Sequence, residues 1–232
     1  MIAILGRGSS LSKYVYHYQL IDKIYIVNNF NKEIDILGID KFKGKEIINV
    51  MGRGPNELTL SNYKQLNVKH VQFNRMDISE IKNKSKIPVP IKPLPSSLLK
   101  KGFPPLDWNI YLDNKDKFEN CEDMCQHIET EFSKKIRKNI RKSKCHRAWP
   151  TTGILAIDLA IEENEVEELY LFGFDLYSDH YMIKKNSDYQ NKDWDKSKMM
   201  LFYIENICKK YDFIRFYNSS KVSLSENNWI NI

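Results

Sequence analysis

Short apolar blocks closed by glycine, asparagine or another polar turn residue recur along this 232-residue chain. They are Ile2-Ala3-Ile4-Leu5, Lys23-Ile24-Tyr25-Ile26-Val27, Lys45 to Met51, Val68 to Phe73, Tyr170-Leu171-Phe172 and Phe213 to Tyr217. Between them lie helical patterns: about Ser10 to Gln19 with Leu11, Val15 and Tyr18 on one face, Asn56 to Leu66, Ile154 to Ile161, and Lys196 to Tyr211. The third of these is apolar at nearly every position, which suits a helix packed on several sides. A strand–turn–helix rhythm repeated in this way predicts an α/β fold with a mostly parallel sheet and helices on both faces.

The rhythm breaks from Lys82 to about Asp113. Ile87-Pro88-Val89-Pro90-Ile91-Lys92-Pro93-Leu94-Pro95 can be neither an interior helix nor a central strand, because proline lacks the backbone donor. Gly102-Phe103-Pro104-Pro105 prolongs the extended course, and helical pattern resumes from about Cys121 to Lys144. Residues 83–147 are therefore read as an inserted lid or helical segment beside a ligand cleft, within one domain spanning 1–232. The tail from Asn218 to Ile232 is polar and is expected to be loosely held.

Two stretches carry candidate chemistry. Gly6-Arg7-Gly8-Ser9-Ser10 follows the first strand and opens a helix, a geometry suited to cradling a phosphate. It is no dinucleotide fingerprint: the third glycine is absent, and the second strand ends in Asn28-Asn29, not in an acidic ribose ligand. Nor is it a P-loop, since no Gly-Lys-Ser/Thr follows. Asn28 or Asn29 could bond a ribose or base edge, or could simply turn the chain. Arg7 and Arg53 both sit just past strand ends, where either could meet a phosphate or carboxylate. The second stretch runs from Arg147-Ala148-Trp149-Pro150-Thr151-Thr152-Gly153 through the apolar helix to Gly173-Phe174-Asp175-Leu176-Tyr177. Thr151 or Thr152 can cap the helix, and Gly153 admits a close approach to its first turn. Free amides and the helix dipole there favour an anion.

Composition narrows the class. No apolar run approaches the roughly 20 residues needed to span a bilayer, and no signal peptide is recognisable at the amino terminus. Cys121, Cys125, Cys145 and Cys208 form no zinc-binding spacing and read as free thiols of a reducing cytoplasm. The net charge of +6 is concentrated in Lys134 to Lys144, a run that suits an acidic partner or a solvated helix face. Aromatics are absent from that run, which argues against a nucleic-acid platform.

Trp149-Pro150-Thr151-Thr152-Gly153-Ile154-Leu155-Ala156, followed by Leu169-Tyr170-Leu171-Phe172-Gly173-Phe174, resembles the small sialylmotif of glycosyltransferase family 29. With Phe174-Asp175-Leu176-Tyr177 it is also similar to the bacterial family 42 sialyltransferases. Ile4-Leu5-Gly6-Arg7-Gly8-Ser9-Ser10-Leu11 and Val27-Asn28-Asn29-Phe30 resemble the first strand-turn and the second-strand asparagine of those families. The resemblance implies a GT-A-like nucleotide-sugar transferase fold of the sialyltransferase type. It implies inverting transfer of sialic acid or a related nonulosonic acid from a CMP-sugar to a glycan or lipid-linked hydroxyl, with no metal cofactor. Gly6, Arg7, Gly8 and Ser10 would then line the CMP pocket, with Ser9 and Arg53 beside them. Asn28, helped by Asn29, would hold the nucleotide. Thr151, Thr152 and Gly153 would sit against the donor, facing Gly173 and Asp175. Tyr177 and Tyr181 would assist the departing phosphate, consistent with hydroxyls and helix amides stabilising that charge without a metal.

The families' histidine base before the last core helix has no counterpart in Asn191-Lys192-Asp193-Trp194. His180 is the first candidate to take the acceptor's proton, and Asp193 the second. The motif arginine is displaced to Arg147. Two other functions are compatible with these residues: a catalytically silent nucleotide-sugar-binding module, and a metal-dependent UDP-sugar transferase using Asp193 and Asp195. Localisation is expected to be cytoplasmic, with peripheral contact at the inner membrane face through Lys134–Lys144.

Overall fold

A computed structural model of the chain describes residues 1–51, 60–73, 87–93, 151–176, 182 and 194–232. Element numbers below count the described residues only. Eight strands form one sheet: β1 (Ile2–Leu5), β2 (Lys23–Val27), β3 (Glu46–Met51), β4 (Val68–Phe73), β5 (Ile91–Pro93), β6 (Glu168–Phe172), β7 (Arg215–Asn218) and β8 (Trp229–Asn231). Their order is β5-β4-β3-β2-β1-β6-β7-β8, and every pairing is parallel. The helices are α1 (Tyr14–His17), α2 (Asn31–Leu37), α3 (Leu60–Gln65), α4 (Thr152–Glu163) and α5 (Trp194–Lys210).

Parallel strands covered on both faces need apolar residues on both, and these strands have them. Ile4, Tyr25, Val27, Ile48, Val50, Leu169 and Leu171 face one side, packed with Ile154, Ile157 and Leu159 of α4 and Met200, Tyr203, Ile204 and Ile207 of α5. The alternate residues Ala3, Leu5, Ile24, Ile26, Ile47, Tyr170 and Phe172 face the other, under Leu11, Tyr14, Ile34, Leu37, Tyr63 and Leu66 of the α1–α3 side. The two-sided burial accounts for the continuous apolar runs. It also fixes register, since a slip by one residue would exchange the two faces.

The chain walks outward from β1 to β4 with α1–α3 on one face, then resumes at β6 on the opposite side of β1. From there it walks to β7 with α5 on the other face. This is what right-handed crossovers require when the direction of travel reverses. The reversal lies between β1 and β6, and α4 lies over β1, β2 and β3.

Several expected boundaries shift. The helix expected over Ser10 to Gln19 is a 3-10 turn (Ser9–Lys13), the single α-turn of α1, and a second 3-10 turn (Tyr18–Leu20). The serines explain the break: Ser12 Oγ donates to the Ser9 carbonyl at 3.1 Å, competing with regular helix bonding. α2 was not foreseen. Its signal is only Glu33, Ile34 and Leu37 in seven residues. Of the helix expected over 56–66, residues 56–59 lie outside the described residues. β5 falls within the expected insertion and, as its proline Pro93 demands, is an edge strand. The rest of 94–147, including Lys134–Lys144, lies outside the described residues.

The tail is not loose. β8 pairs with β7, and Trp229 is buried with its indole N–H donating to the Val222 carbonyl at 3.1 Å. Asn228 Nδ2 lies 3.0–3.1 Å from the carbonyls of Cys208, Tyr211 and Ile214, closing the end of α5. The last core strand accordingly starts at Arg215, and Phe213 is exposed. Among the described residues no helix is long and apolar enough to cross a membrane.

Candidate functional site

In an open parallel sheet the loops at the carboxyl ends of the strands diverge where strand order reverses, and ligands bind there. In this chain that place lies past Leu5 of β1 and Phe172 of β6, with Val27 of β2 beside them.

The first two loops are stitched together. Gly6 N–H donates to the Phe172 carbonyl at 2.7 Å and Gly8 N–H to the Gly173 carbonyl at 3.0 Å. The glycines are demanded by this contact. A Cβ on Gly6 would stand 2.5 Å from the Gly173 carbonyl oxygen, and one on Gly8 would stand 1.8 Å from Asp175 Oδ2. Gly173 itself has a φ of +75°, which a side chain disfavours.

Asp175 completes the junction. Its Oδ2 accepts from the Ser10 amide and the Ser10 hydroxyl, each at 3.1 Å, while the Gly173 amide donates to Ser10 Oγ at 3.1 Å. The phosphate-cradling geometry expected of Gly6 to Ser10 is therefore partly filled by the chain's own carboxylate. A carboxylate at a helix start is favoured by the same dipole and amides that would favour phosphate. Ser219, at the end of β7, adds a hydroxyl donated to the Ser10 carbonyl at 3.2 Å.

The second strand presents Asn28 in the left-handed region, with a φ of +55°. Its backbone is clamped: the amide donates to the Val50 carbonyl at 2.8 Å, and its carbonyl accepts from Asn49 Nδ2 at 3.1 Å. Asn49 is fully buried on β3 and was not singled out from sequence, where one polar residue inside an apolar strand gave no sign of this task. Asn29 turns the chain, its Oδ1 accepting from the amide and side chain of Asn31 at 3.2 and 2.8 Å.

α4 brings the second motif to the same edge. Thr151 occupies the N-cap position without a side-chain cap bond, contrary to the expected hydroxyl cap. The Thr152 hydroxyl instead faces Asn28 Oδ1 at 3.5 Å. The close approach permitted by Gly153 is taken by Phe174, whose Cε1 would lie 3.0 Å from an added Cβ. Hence the first turn of α4 has no side-chain cap, whereas the first turn after β1 is covered by Asp175.

Arg7 is held from below. Its Nε donates to Glu33 Oε1 at 2.5 Å, and Glu33 is 0% exposed with Oε2 lacking a hydrogen-bond partner. Its carbonyl accepts from the Met182 amide at 2.9 Å. The structure thus joins Gly6, Arg7, Gly8, Ser10, Asn28, Thr152, Gly153, Gly173 and Asp175 at one edge of the sheet, with Ser9, Asn29 and Thr151 next to them in the chain. Arg53, Tyr177, His180, Tyr181 and Asp193 lie outside the described residues. Asp195 belongs to the first turn of α5. Among the described residues no group of three or more His, Cys, Asp or Glu side chains could hold a metal ion.

No protein-family model matches the chain, and no protein of curated function matches it in sequence. Solved structures do. The sialyltransferase CST-II in complex with a trisaccharide acceptor and CMP is 15% identical, with a TM-score of 0.49, over 100% of this chain and 85% of that one. The sialyltransferase CstII from Campylobacter jejuni, in complex with cytidine-5'-monophosphate, gives 15% and 0.49 over 100% and 84%. A mammalian sialyltransferase in complex with Gal-beta-1-3GalNAc-ortho-nitrophenol gives 14% and 0.43 over 93% of this chain and 68% of that one. These solved structures similar to this chain are sialyltransferases, CstII and a mammalian enzyme.

Proposed function

We propose that this chain binds a CMP-activated nonulosonic acid, such as CMP-sialic acid, and transfers the sugar to a glycan hydroxyl with inversion. The observation that carries the reading is the meeting of Asn28 with Thr152 at the carboxyl edge of the sheet. These residues come from the two separate sequence blocks that resemble sialyltransferase motifs. In this reading the two blocks contribute side chains to one site.

In this reading the uncapped first turn of α4 offers amides and dipole to the anionic part of the donor. Asn28, fixed in a left-handed conformation, presents an amide that can both donate to and accept from a ribose or base. Gly6, Gly8, Gly173 and Asp175 build the frame that holds these groups, and Arg7 contributes positive charge. CMP leaves as a phosphate monoester, so hydroxyls of Tyr177 and Tyr181 would steady the growing charge. His180, or else Asp193, would accept the acceptor's proton. No resident metal is part of the scheme.

Titration of the purified protein with CMP, CDP, UDP and NAD, with EDTA present throughout, tests the reading. Selective CMP binding is expected, followed by transfer from CMP-sialic acid to glycan acceptors. Absence of CMP binding, or UDP binding only after manganese is restored, overturns it. His180→Ala and Asp193→Ala, measured separately, then identify the base by a large loss of turnover at unchanged donor affinity.

A further inference from the structure

A buried carboxylate needs a reason. Removing Glu33 from water is expensive, and the attraction of one arginine rarely repays that expense. The cost is raised further here because Glu33 Oε2 is buried without a hydrogen-bond partner. Glu33 lies in the first turn of α2, where the helix dipole favours a negative charge, but a solvated position would enjoy that as well. What the buried position adds is geometry. The ion pair runs through Arg7 Nε, with the guanidinium only partly exposed and Glu33 nearly inaccessible, at 17% and 1% of their side-chain surfaces.

Arg7 is the second residue past β1, at the strand-order reversal, and its carbonyl is held by the Met182 amide. Fixing Nε from beneath removes the rotamer freedom of a long side chain and sets the plane of its guanidinium. Arginine recognises phosphate through that planar edge, so its orientation matters as much as its charge.

We propose that Glu33 is a positioning residue that holds Arg7 through Nε so that the guanidinium meets the phosphate of a bound nucleoside monophosphate. The inference rests on the CMP-donor reading above and assigns the recognition of its phosphate.

The test compares CMP with cytidine, which lacks the phosphate. Glu33→Leu is expected to weaken CMP by about tenfold or more, the worth of one charge-assisted hydrogen bond, and to leave cytidine affinity unchanged. Glu33→Gln, which keeps an acceptor for Nε, should recover part of the loss. Arg7→Lys keeps the charge but has no Nε donor, so it should match Glu33→Leu, and the two together should lose no more than either. It also keeps the test decisive should Glu33→Leu fail to fold. A second readout is independent of cytidylate: in 15N-labelled protein the Arg7 Nε–H should exchange slowly with water and shift on adding inorganic phosphate. In Glu33→Leu it should do neither.

An unchanged CMP-to-cytidine ratio in Arg7→Lys or Glu33→Leu overturns the proposal, as does rapid Nε–H exchange in the unmodified protein. A parallel loss of both ligands marks a merely structural role and also overturns it. If the unmodified protein binds no CMP, the donor reading falls by itself. A phosphate response at Arg7 that depends on Glu33 would then still support the positioning role, and its absence would sink both.

Discussion

Asp175 and Ser10, 165 positions apart, are bound twice: one carboxylate oxygen accepts both the amide and the hydroxyl of Ser10 at 3.1 Å. This contact locks the loop after β1 to the loop after β6 at the place where strand order reverses. It fills the first turn after β1 with the protein's own anion, whereas the N-cap residue of α4, Thr151, makes no side-chain cap bond. Asp175→Ala should cost about 1–3 kcal/mol, the penalty for stripping a charge-assisted cap and leaving buried donors unpaired. Asp175→Asn should cost less. Urea denaturation of the three proteins checks the order, and equal midpoints would show that the contact is idle.

The glycines of the same junction are required by space. Gly8 has an ordinary extended backbone, with φ −69° and ψ 169°, so alanine there meets no conformational penalty. Its Cβ would nevertheless overlap Asp175 and the Gly173 carbonyl, at 1.8 and 2.8 Å. Gly8→Ala is therefore expected to destabilise by about 1–3 kcal/mol or more, in the range of overpacked cores. Pairing it with Asp175→Ala removes the worst of the overlap, so the double mutant should be more stable than the sum of the singles. Strict additivity of the unfolding free energies would contradict the geometry.

Much of the fold was legible because a two-faced parallel sheet writes itself as apolar runs. Ile2–Leu5, Lys23–Val27 and Val68–Phe73 match their strands residue for residue. What escaped was short or held from elsewhere. α2 spans seven residues, too few to show a helical period. β8 lies in a polar tail whose order comes from Trp229 and Asn228 reaching Val222 and the end of α5, contacts that no local pattern announces. At the site, the motif glycines were visible, but not that Asp175 and Phe174 are what approach them. Glu33 and Asn49 act through partners 26 and 21 positions away, and neither lies in a recognisable motif.

Asn28 separates backbone from side-chain roles. Its positive φ strains any residue with a Cβ, and Asn49 holds its carbonyl in place. Asn28→Gly should keep or slightly raise stability, since glycine adopts this conformation freely. It should also lose nucleotide affinity, because the amide facing Thr152 is gone. Asn28→Ala should lose both, with the stability cost near 1 kcal/mol for a side chain in the left-handed region. Thermal unfolding and CMP titration of the pair distinguish these effects. Unaltered CMP binding in Asn28→Gly would remove Asn28 from the nucleotide site.

His70 gives the chain a pH dependence far from any assigned chemistry. It lies on β4, 7% exposed, with Nε2 buried and lacking a hydrogen-bond partner. Burial pushes its pKa below the ordinary 6.5, and the charges of Lys92 and Lys23 push it the same way, against the opposing charge of Glu163. The unfolded chain therefore takes up the proton more readily than the folded one. The resulting stability is fully present above the unfolded pKa, and it is lost as pH falls from about 6.5 toward the lower folded pKa. One proton can contribute a slope of at most about 1.4 kcal/mol per pH unit. His70→Gln, which cannot titrate, should flatten the fall in unfolding free energy between neutral and mildly acidic pH relative to the unmodified protein. Denaturant unfolding at a series of pH values measures both slopes. Coincident slopes would mean that His70 protonates as easily in the folded chain as in the unfolded one, against the burial seen here.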